Sequence, residues 1–273
     1  MSMLRLNLGC GDRFHPDWIN IDFVSRHKGV QEYNLLLGIP FPDNHFDVVY
    51  HSHVLEHFPK LSGSLFISEC NRVLKPGGVI RVVVPDLEQI ALQYMRQLFE
   101  VRNNCSDLNM ANYDWAIIEL LDQLVREKSG GEMAEYWSQP SIINENIVRE
   151  RVGFEFDRFR SNYLETVKSV VAEKKEALHK KFKRIIKARL WKFLGVDQSS
   201  LSLGSFRSQG ECHKWMYDDY SLMTLLKQNG FKNIIRTTAV ESRIQEWKRY
   251  MSLDVEGERI RKPDSLFVEG IKA

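Results

Sequence analysis

The run Leu4-Arg5-Leu6-Asn7-Leu8-Gly9-Cys10-Gly11-Asp12 constrains the fold of this chain more than any other stretch. An apolar, strand-like segment delivers the backbone into two glycines separated by one residue. Glycine has no Cβ to block the approach of a ligand, and it tolerates φ > 0 in a turn. A second strand-like run, Trp18-Ile19-Asn20-Ile21, ends on Asp22. An acid at the tip of the neighbouring strand is placed to accept hydrogen bonds from ribose hydroxyls. The dinucleotide fingerprint asks for a third glycine and for an acid about 20 residues on. Here Phe14 stands in the place of that glycine and the acid comes too early. The pattern disfavours a pyrophosphate ligand. It fits one with a ribose and no phosphate to cradle, a description that S-adenosylmethionine (SAM) meets.

Further along, Val30-Gln31-Glu32-Tyr33 precedes Asn34-Leu35, and Phe46-Asp47-Val48-Val49-Tyr50 reads as a buried strand. His51-Ser52-His53-Val54-Leu55-Glu56-His57-Phe58 follows, and Pro59 stops any short helix there. Leu65, Phe66, Cys70, Val73 and Leu74 have helical spacing within a helix expected over 61–74, with Lys75-Pro76-Gly77-Gly78 as its left-handed end. Val79 to Val84 is a β-branched strand, and Pro85-Asp86 lies at its carboxyl end. Strand alternating with helix argues for an α/β, doubly wound and mostly parallel sheet. In such sheets ligands sit outside the carboxyl ends of the strands. Cys10, Asp22, Asn34, Ser52 and Asp86 all fall at those ends. After residue 210, Asp219 to Asn229 reads as a helix, Phe231 to Arg236 as a strand, and Ser265 to Ile271 as the closing strand.

Leu6-Asn7-Leu8-Gly9-Cys10-Gly11, Trp18-Ile19-Asn20-Ile21-Asp22, His53-Val54-Leu55-Glu56-His57-Phe58 and Arg72-Val73-Leu74-Lys75-Pro76-Gly77-Gly78 occur in this order. Together they resemble class I SAM-dependent methyltransferases of the broad type 11 group. His213-Lys214-Trp215-Met216-Tyr217-Asp218 and Lys262-Pro263-Asp264-Ser265-Leu266 are similar to a bacterial subgroup found with surface-polysaccharide biosynthesis. The resemblance covers about residues 4–100 and 210–273. It implies a Rossmann-like sheet of seven strands with an antiparallel last strand, an enzyme, SAM as cofactor and S-adenosylhomocysteine as product. Cofactor contacts would fall on Gly9, Cys10, Gly11, Asp22, Phe23, Asn34, Leu35, Ser52 and His53. Two departures stand out. Only six residues separate Gly11 from Trp18, where a parallel crossover normally needs a dozen, so the usual first helix must shrink to about a turn. The customary Asp-Leu after the third strand is Asn34-Leu35, whose carbonyl can still meet an adenine amino group.

His53, Glu56 and His57 stand at i, i+3 and i+4, which on a helix shares one face. Three readings stay open: a general base for an acceptor hydroxyl, a divalent-metal box, and a purely structural cap. His213 is a second candidate base, with Lys214, Trp215 and Tyr217 as acceptor contacts or as an aromatic seal. Asp86 contacts the acceptor or caps the helix after it.

The core reads as 1–104 and 211–273, with 105–210 a mainly helical insertion serving as lid, dimer interface or membrane-surface element. Ile117, Leu120, Leu121, Leu124 and Val125 are spaced as its apolar face, Ser129-Gly130-Gly131 as a break, 146–194 as a long charged helix, and 197–210 as a loop. The net charge of +2 is uneven: 168–194 holds ten Lys/Arg and two acids, leaving 28 basic and 34 acidic residues elsewhere. A basic amphipathic helix there, with Trp191 near one end, can lie on an anionic membrane or pack on the core or a second subunit. Positive charge confined to one helix argues against nucleic acid. No signal peptide or membrane span is visible, and the four cysteines lack zinc or disulfide spacing. The expectation is a cytoplasmic protein, with peripheral contact to the inner membrane surface as an extension. It would methylate an oxygen, with a sugar hydroxyl of a surface glycan as the leading class. A natural-product N- or O-methyltransferase and a non-catalytic SAM-binding scaffold are the alternatives.

Overall fold

The computed structural model describes residues 3–25, 27–170, 198–208 and 210–273. Seven strands form one sheet: β1 (Arg5–Leu8), β2 (Ile19–Asp22), β3 (Val30–Glu32), β4 (Phe46–Ser52), β5 (Leu74–Pro85), β6 (Phe231–Thr237) and β9 (Ser265–Lys272), in the order β3-β2-β1-β4-β5-β9-β6. The pairs from β3 through β5 are parallel, and β9 runs antiparallel to both β5 and β6. This is the α/β, Rossmann-like sheet that the motifs implied. Two-stranded β7 (Val255–Glu256) and β8 (Arg259–Ile260) form a separate ribbon.

Successive side chains of a strand point to opposite faces, and a doubly covered sheet buries both. Val49 of β4 joins a core with Leu6, Leu8, Phe66, Ile67 and Leu222, on the side of α1 (Lys60–Val73) and the helix Asp219–Gln228. Val48 and Tyr50 join the other core, with Trp18, Val83, Trp247, Tyr250 and Phe267. That second core encloses a charged group. Arg81, fully buried, bonds Asp254 at 2.9 Å and Glu269 at 2.9 Å and donates to the Thr238 carbonyl at 2.8 Å. Its guanidinium lies over the Trp247 ring.

The crossover from β1 to β2 contains turns and no helix. Two buried amides hold it instead. Asn7 Nδ2 donates to the Arg13 carbonyl and to Asn20 Oδ1, while Asn20 Nδ2 donates to the His15 and Trp18 carbonyls. The polar residues inside two apolar strands therefore satisfy the backbone of a shortened connection.

Several local expectations need correction. No helix carries His53, Glu56 and His57 together: only Leu55–His57 forms a single 3-10 turn, and His53 has φ +55°. Helix α1 ends at Val73 on an extended Leu74, so Lys75-Pro76-Gly77-Gly78 belongs to β5 and provides no left-handed helix cap. The expected loop over 197–210 contains a helix, Gln198–Ser208. The long charged helix is divided in its described part: Glu145–Val152 ends at Gly153, whose φ is +70°, and Phe154–Val170 follows. The remainder of that helix, with nearly all of the basic stripe 168–194, lies outside the described residues.

By its contacts the chain divides into one unit of 1–99 and 213–273 and another of 100–212. The second unit has its own core of Trp115, Met133, Trp137, Ile142, Val148 and Phe156. The buried face of its helix Asp107–Val125 is Asn112, Trp115, Ala116, Glu119 and Asp122, whereas Leu121 and Val125 of the expected apolar face are exposed. The acids are tolerated inside because Arg151 bonds Glu119 at 2.6 Å and Arg126 pairs with Asp122. None of the four cysteines is in a disulfide. No helix among the described residues is long and apolar enough to cross a membrane.

Candidate active site

The glycine loop leaves β1 with Gly9 at φ +63° and Gly11 at φ +52°. Cys10 between them is buried, and its N–H donates to the Ile21 carbonyl at 3.1 Å, which ties the loop to β2. Burial, reinforced by the Asp22 charge, pushes the Cys10 thiol up to about 12. The thiol is therefore protonated at neutral pH and packs as a small apolar group. Asp22 Oδ2 accepts from Gly11 N–H at 2.7 Å, and Oδ1 accepts from Val24 N–H at 3.2 Å. An ionised carboxylate has about four acceptor positions, so two remain for ligand hydroxyls.

The residues present fit SAM. A Cβ built on Gly11 would meet nothing within 4 Å, so the loop backbone is open on that side. Beyond the tips of β2 and β3, Phe23, Leu36 and Leu37 expose apolar side chains that suit a purine face. Leu35 and Asn34 open the 3-10 turn carrying two of them, and Asn34 Oδ1 caps it by accepting from Leu36 N–H at 3.0 Å. One of that oxygen's lone pairs is thus engaged, leaving the other for an amino group.

At the end of β4 the chain turns sharply through Ser52 and His53. A positive φ on a non-glycine residue is uncommon and is held only where the surroundings enforce it. Here His53 N–H donates to the Val83 carbonyl at 2.9 Å, and the ring has a polar neighbour at each nitrogen: Nε2 meets Ser265 Oγ at 2.9 Å and Nδ1 stands 3.1 Å from Glu56 Oε1. Glu56 is fully buried. Neither of its carboxylate oxygens takes a well-aligned hydrogen bond from a described residue, the His53 approach included. Burial pushes this carboxyl up to about 8. Burial also holds His53 well below the usual imidazole range, with the charges of Lys262, His213 and His57 adding to it. His53 is neutral at pH 7.

The backbone carbonyl of Glu56 accepts from both Lys214 N–H, at 2.7 Å, and Trp215 N–H, at 3.2 Å. That pair of bonds draws the distant loop 213–215 onto the short 3-10 turn. His213 Nε2 consequently lies 4.0 Å from Glu56 Oε1, and its ring meets the His57 ring edge-on with centroids 4.9 Å apart. Three histidines thus surround one carboxylate. The sequence treated His213 as a separate candidate, and nothing local in it marks the convergence. Ser265 is a partner of His53 that the sequence does not mark either. Its only signal was its place inside the Lys262–Leu266 motif.

The remaining candidates divide by exposure. Trp215 is 39% exposed, with Lys60 Nζ 4.9 Å from its ring centroid. Tyr217 is buried at 3% exposure in the sheet core, its hydroxyl against Gly63. It is therefore no stacking platform, and it seals the core. Asp86 is buried, caps the following helix by accepting from Gln89 N–H at 3.3 Å, and pairs with Arg236 at 2.7 Å. Its carboxylate thus makes the cap, one of the two roles weighed for it. For metal ligation, the set among the described residues whose ligand atoms come together is Glu56, His57 and His213, with His213 in the place expected for His53.

A family model described as a methyltransferase domain matches residues 25–82. A "Probable S-adenosylmethionine-dependent methyltransferase" of Mycolicibacterium smegmatis is 45% identical over 99 residues, 30% of this chain and 37% of that protein. A sterol 24-C-methyltransferase of Gibberella zeae is 34% identical over 94 residues, 29% of this chain and 24% of that protein. The chain thus spans well under half the length of these relatives. A solved SAM-dependent methyltransferase from Thermotoga maritima, titled a possible histamine N-methyltransferase, aligns with the whole chain and 84% of its own at 10% identity and a TM-score of 0.40. The matched segment runs from just before β3 into β5 of the sheet described above, and over it the chain is similar to methyltransferase domains.

Proposed function

We propose that the protein transfers a methyl group from SAM to an acceptor oxygen, and that the acceptor is a sugar hydroxyl of the kind found in surface-glycan precursors. The observation that carries this reading is the position of the histidine–carboxylate cluster. Val54, between His53 and Glu56, packs directly on Gly9 of the cofactor loop, so cofactor cradle and candidate base are neighbours along one rim.

SAM, when bound, supplies an electrophilic methyl on a sulfonium sulfur. The chain's own contribution is alignment and a destination for the hydroxyl proton. Gly9, Gly11 and Asp22 would hold the nucleoside end. His53 is neutral and offers Nε2, beside Ser265 Oγ, as the atom that takes the proton, directly or through the serine hydroxyl. Glu56, facing Nδ1 at 3.1 Å, orients the ring as a neutral neighbour, because burial pushes its carboxyl up to about 8. The exposed face of Trp215, on the loop bonded to Glu56, offers an apolar platform for the C–H face of a sugar ring. The motif likeness of 213–218 and 262–266 supports the glycan setting.

The test is calorimetry with SAM on the wild type and Asp22→Ala, followed by transfer of labelled methyl to nucleotide- and lipid-linked sugars by wild type and His53→Ala. We expect binding that is lost in Asp22→Ala, and turnover lowered at least about tenfold in His53→Ala, since general-base contributions are typically 10²–10⁴-fold. Absence of SAM binding to the wild type overturns the reading. Full turnover in His53→Ala overturns the base and favours an acceptor nitrogen or carbon that has less need of one.

A further inference from the structure

We infer that Glu56, His57 and His213 form a binding site for one divalent transition-metal ion of the Zn²⁺ type. One ligand atom from each residue lies within 4.8 Å of the others. Bonds of about 2.0–2.2 Å to imidazole nitrogen and carboxylate oxygen place two ligands of one ion at most ~4.4 Å apart. In a tetrahedral sphere two such ligands stand about 3.3–3.6 Å apart, so the set is open by up to about 1.5 Å, and side-chain rotation must draw it in as the ion binds.

Glu56 supplies the independent observation. A carboxyl group with no exposure and no aligned hydrogen bond on either oxygen, among the described residues, leaves buried polar atoms unsatisfied, which is costly in either protonation state. A cation between it and two imidazoles would relieve that cost. The rings of His57 and His213 stand edge-on with centroids 4.9 Å apart, close enough for one nitrogen of each to reach a shared ion. The fold provides the third ligand deliberately: two N–H groups of the 213–215 loop bond the Glu56 carbonyl and bring His213 in from more than 150 residues away in sequence.

Donor chemistry selects the ion. Two imidazoles and one carboxylate suit Zn²⁺, Co²⁺ or Fe²⁺, whereas Mg²⁺ and Ca²⁺ prefer oxygen cages. Three protein ligands with an open position is the arrangement of catalytic rather than structural zinc. The open side would receive an acceptor oxygen, a step that rests on the methyl-transfer reading above. His53 falls outside the ligand set. With Nδ1 toward Glu56 Oε1 and Nε2 on Ser265, it stands where an outer partner orients a ligating carboxylate.

The test uses the full chain after treatment with a chelator. Zn²⁺ is titrated in competition with a chromophoric chelator, and Co²⁺ is added separately to read the visible bands of a protein-bound ion. The expected result is one equivalent per chain, weakened at least about tenfold in Glu56→Gln and in His57→Ala, the effect that even outer partners of a metal ligand commonly exceed. Circular dichroism checks folding. Should Glu56→Gln fail to fold, His57→Ala carries the test, because His57 is only partly buried. Absence of stoichiometric binding, or binding unchanged in the folded variants, overturns the site. Calorimetry with SAM on the same samples keeps the two readings apart. Zn²⁺ binding without SAM binding leaves the metal site standing and removes the methyl-transfer reading. SAM binding without Zn²⁺ binding does the reverse.

Discussion

Val54 occupies the space that any side chain on Gly9 would need: a Cβ there would lie 2.3 Å from Val54 Cγ2. Gly11, two residues on, shares the left-handed backbone, yet a Cβ on it meets nothing within 4 Å. The two glycines therefore have different reasons to be glycine. One lets the loop close onto the histidine turn, and the other leaves the backbone approachable.

This contrast makes a paired prediction. Gly9→Ala combines a left-handed alanine, about 1–2 kcal/mol, with a steric clash, and should lower the melting temperature markedly. Gly11→Ala carries the backbone strain alone and should melt closer to the wild type, yet lose SAM affinity by about tenfold or more because its methyl projects into open space. Thermal denaturation and calorimetry on both variants check this. Equal melting temperatures with SAM binding intact in Gly11→Ala would remove the loop from the cofactor site.

The parts of this architecture legible in the sequence were those fixed by local chemistry. Leu6–Gly11 and Ile19–Asp22 announce strand ends and a left-handed glycine turn, because alternating apolar residues and paired glycines have few other uses there. The β-branched run at 79–84 could scarcely be anything but a buried strand. What failed depended on partners supplied by distant chain. Asn112, Glu119 and Asp122 look like solvent-facing positions until the arginines that neutralise Glu119 and Asp122 are known, so the spacing of apolar residues alone points to the wrong face of that helix. Asn7 and Asn20 give no hint that they replace a missing helix. The regular spacing of His53, Glu56 and His57 suggested a helix, but the grouping that formed came instead from a left-handed turn at His53 and the backbone pairing of 213–215.

His51, one strand position before Ser52, predicts an acid sensitivity. It is fully buried beside Phe66, with ring centroids 5.0 Å apart, and neither ring nitrogen has a hydrogen-bond partner among the described residues. Burial holds its pKa down at about 3 against an ordinary 6.5. A depressed histidine binds fewer protons folded than unfolded, so its contribution is full above pH 6.5 and is lost as pH falls toward 3. Between pH 6.5 and 4.5 the linked loss is on the order of 2–3 kcal/mol. His51→Leu removes the titrating group and keeps the packing. Its unfolding free energy should fall less over that interval than the wild type's, and parallel pH profiles would show that His51 does not stay neutral on acidification.

The Arg81 cluster predicts a stability loss without a direct role at the candidate site. Arg81 bridges Asp254 and Glu269, all three buried, and Tyr50 Oη donates to Asp254 Oδ1 at 2.5 Å. Glu269 also accepts from the Ser242 hydroxyl and from Arg243 N–H. The network thus joins β4, β5 and β9 to the segment 238–254. Removing one partner of a buried ion pair typically costs about 3–5 kcal/mol, because the other charge is left in a low-dielectric interior. Here two carboxylates would be left, and Arg81→Met should reach at least that range in urea denaturation at pH 7. Arg81→Lys keeps the charge but cannot span both acids or lie flat over Trp247, so it should recover only part of the loss. A variant Arg81→Met/Asp254→Leu/Glu269→Leu removes all three charges together and should be more stable than Arg81→Met alone. If Arg81→Met unfolds within about 1 kcal/mol of the wild type, the buried carboxylates are protonated in the fold and the arginine is not what holds them.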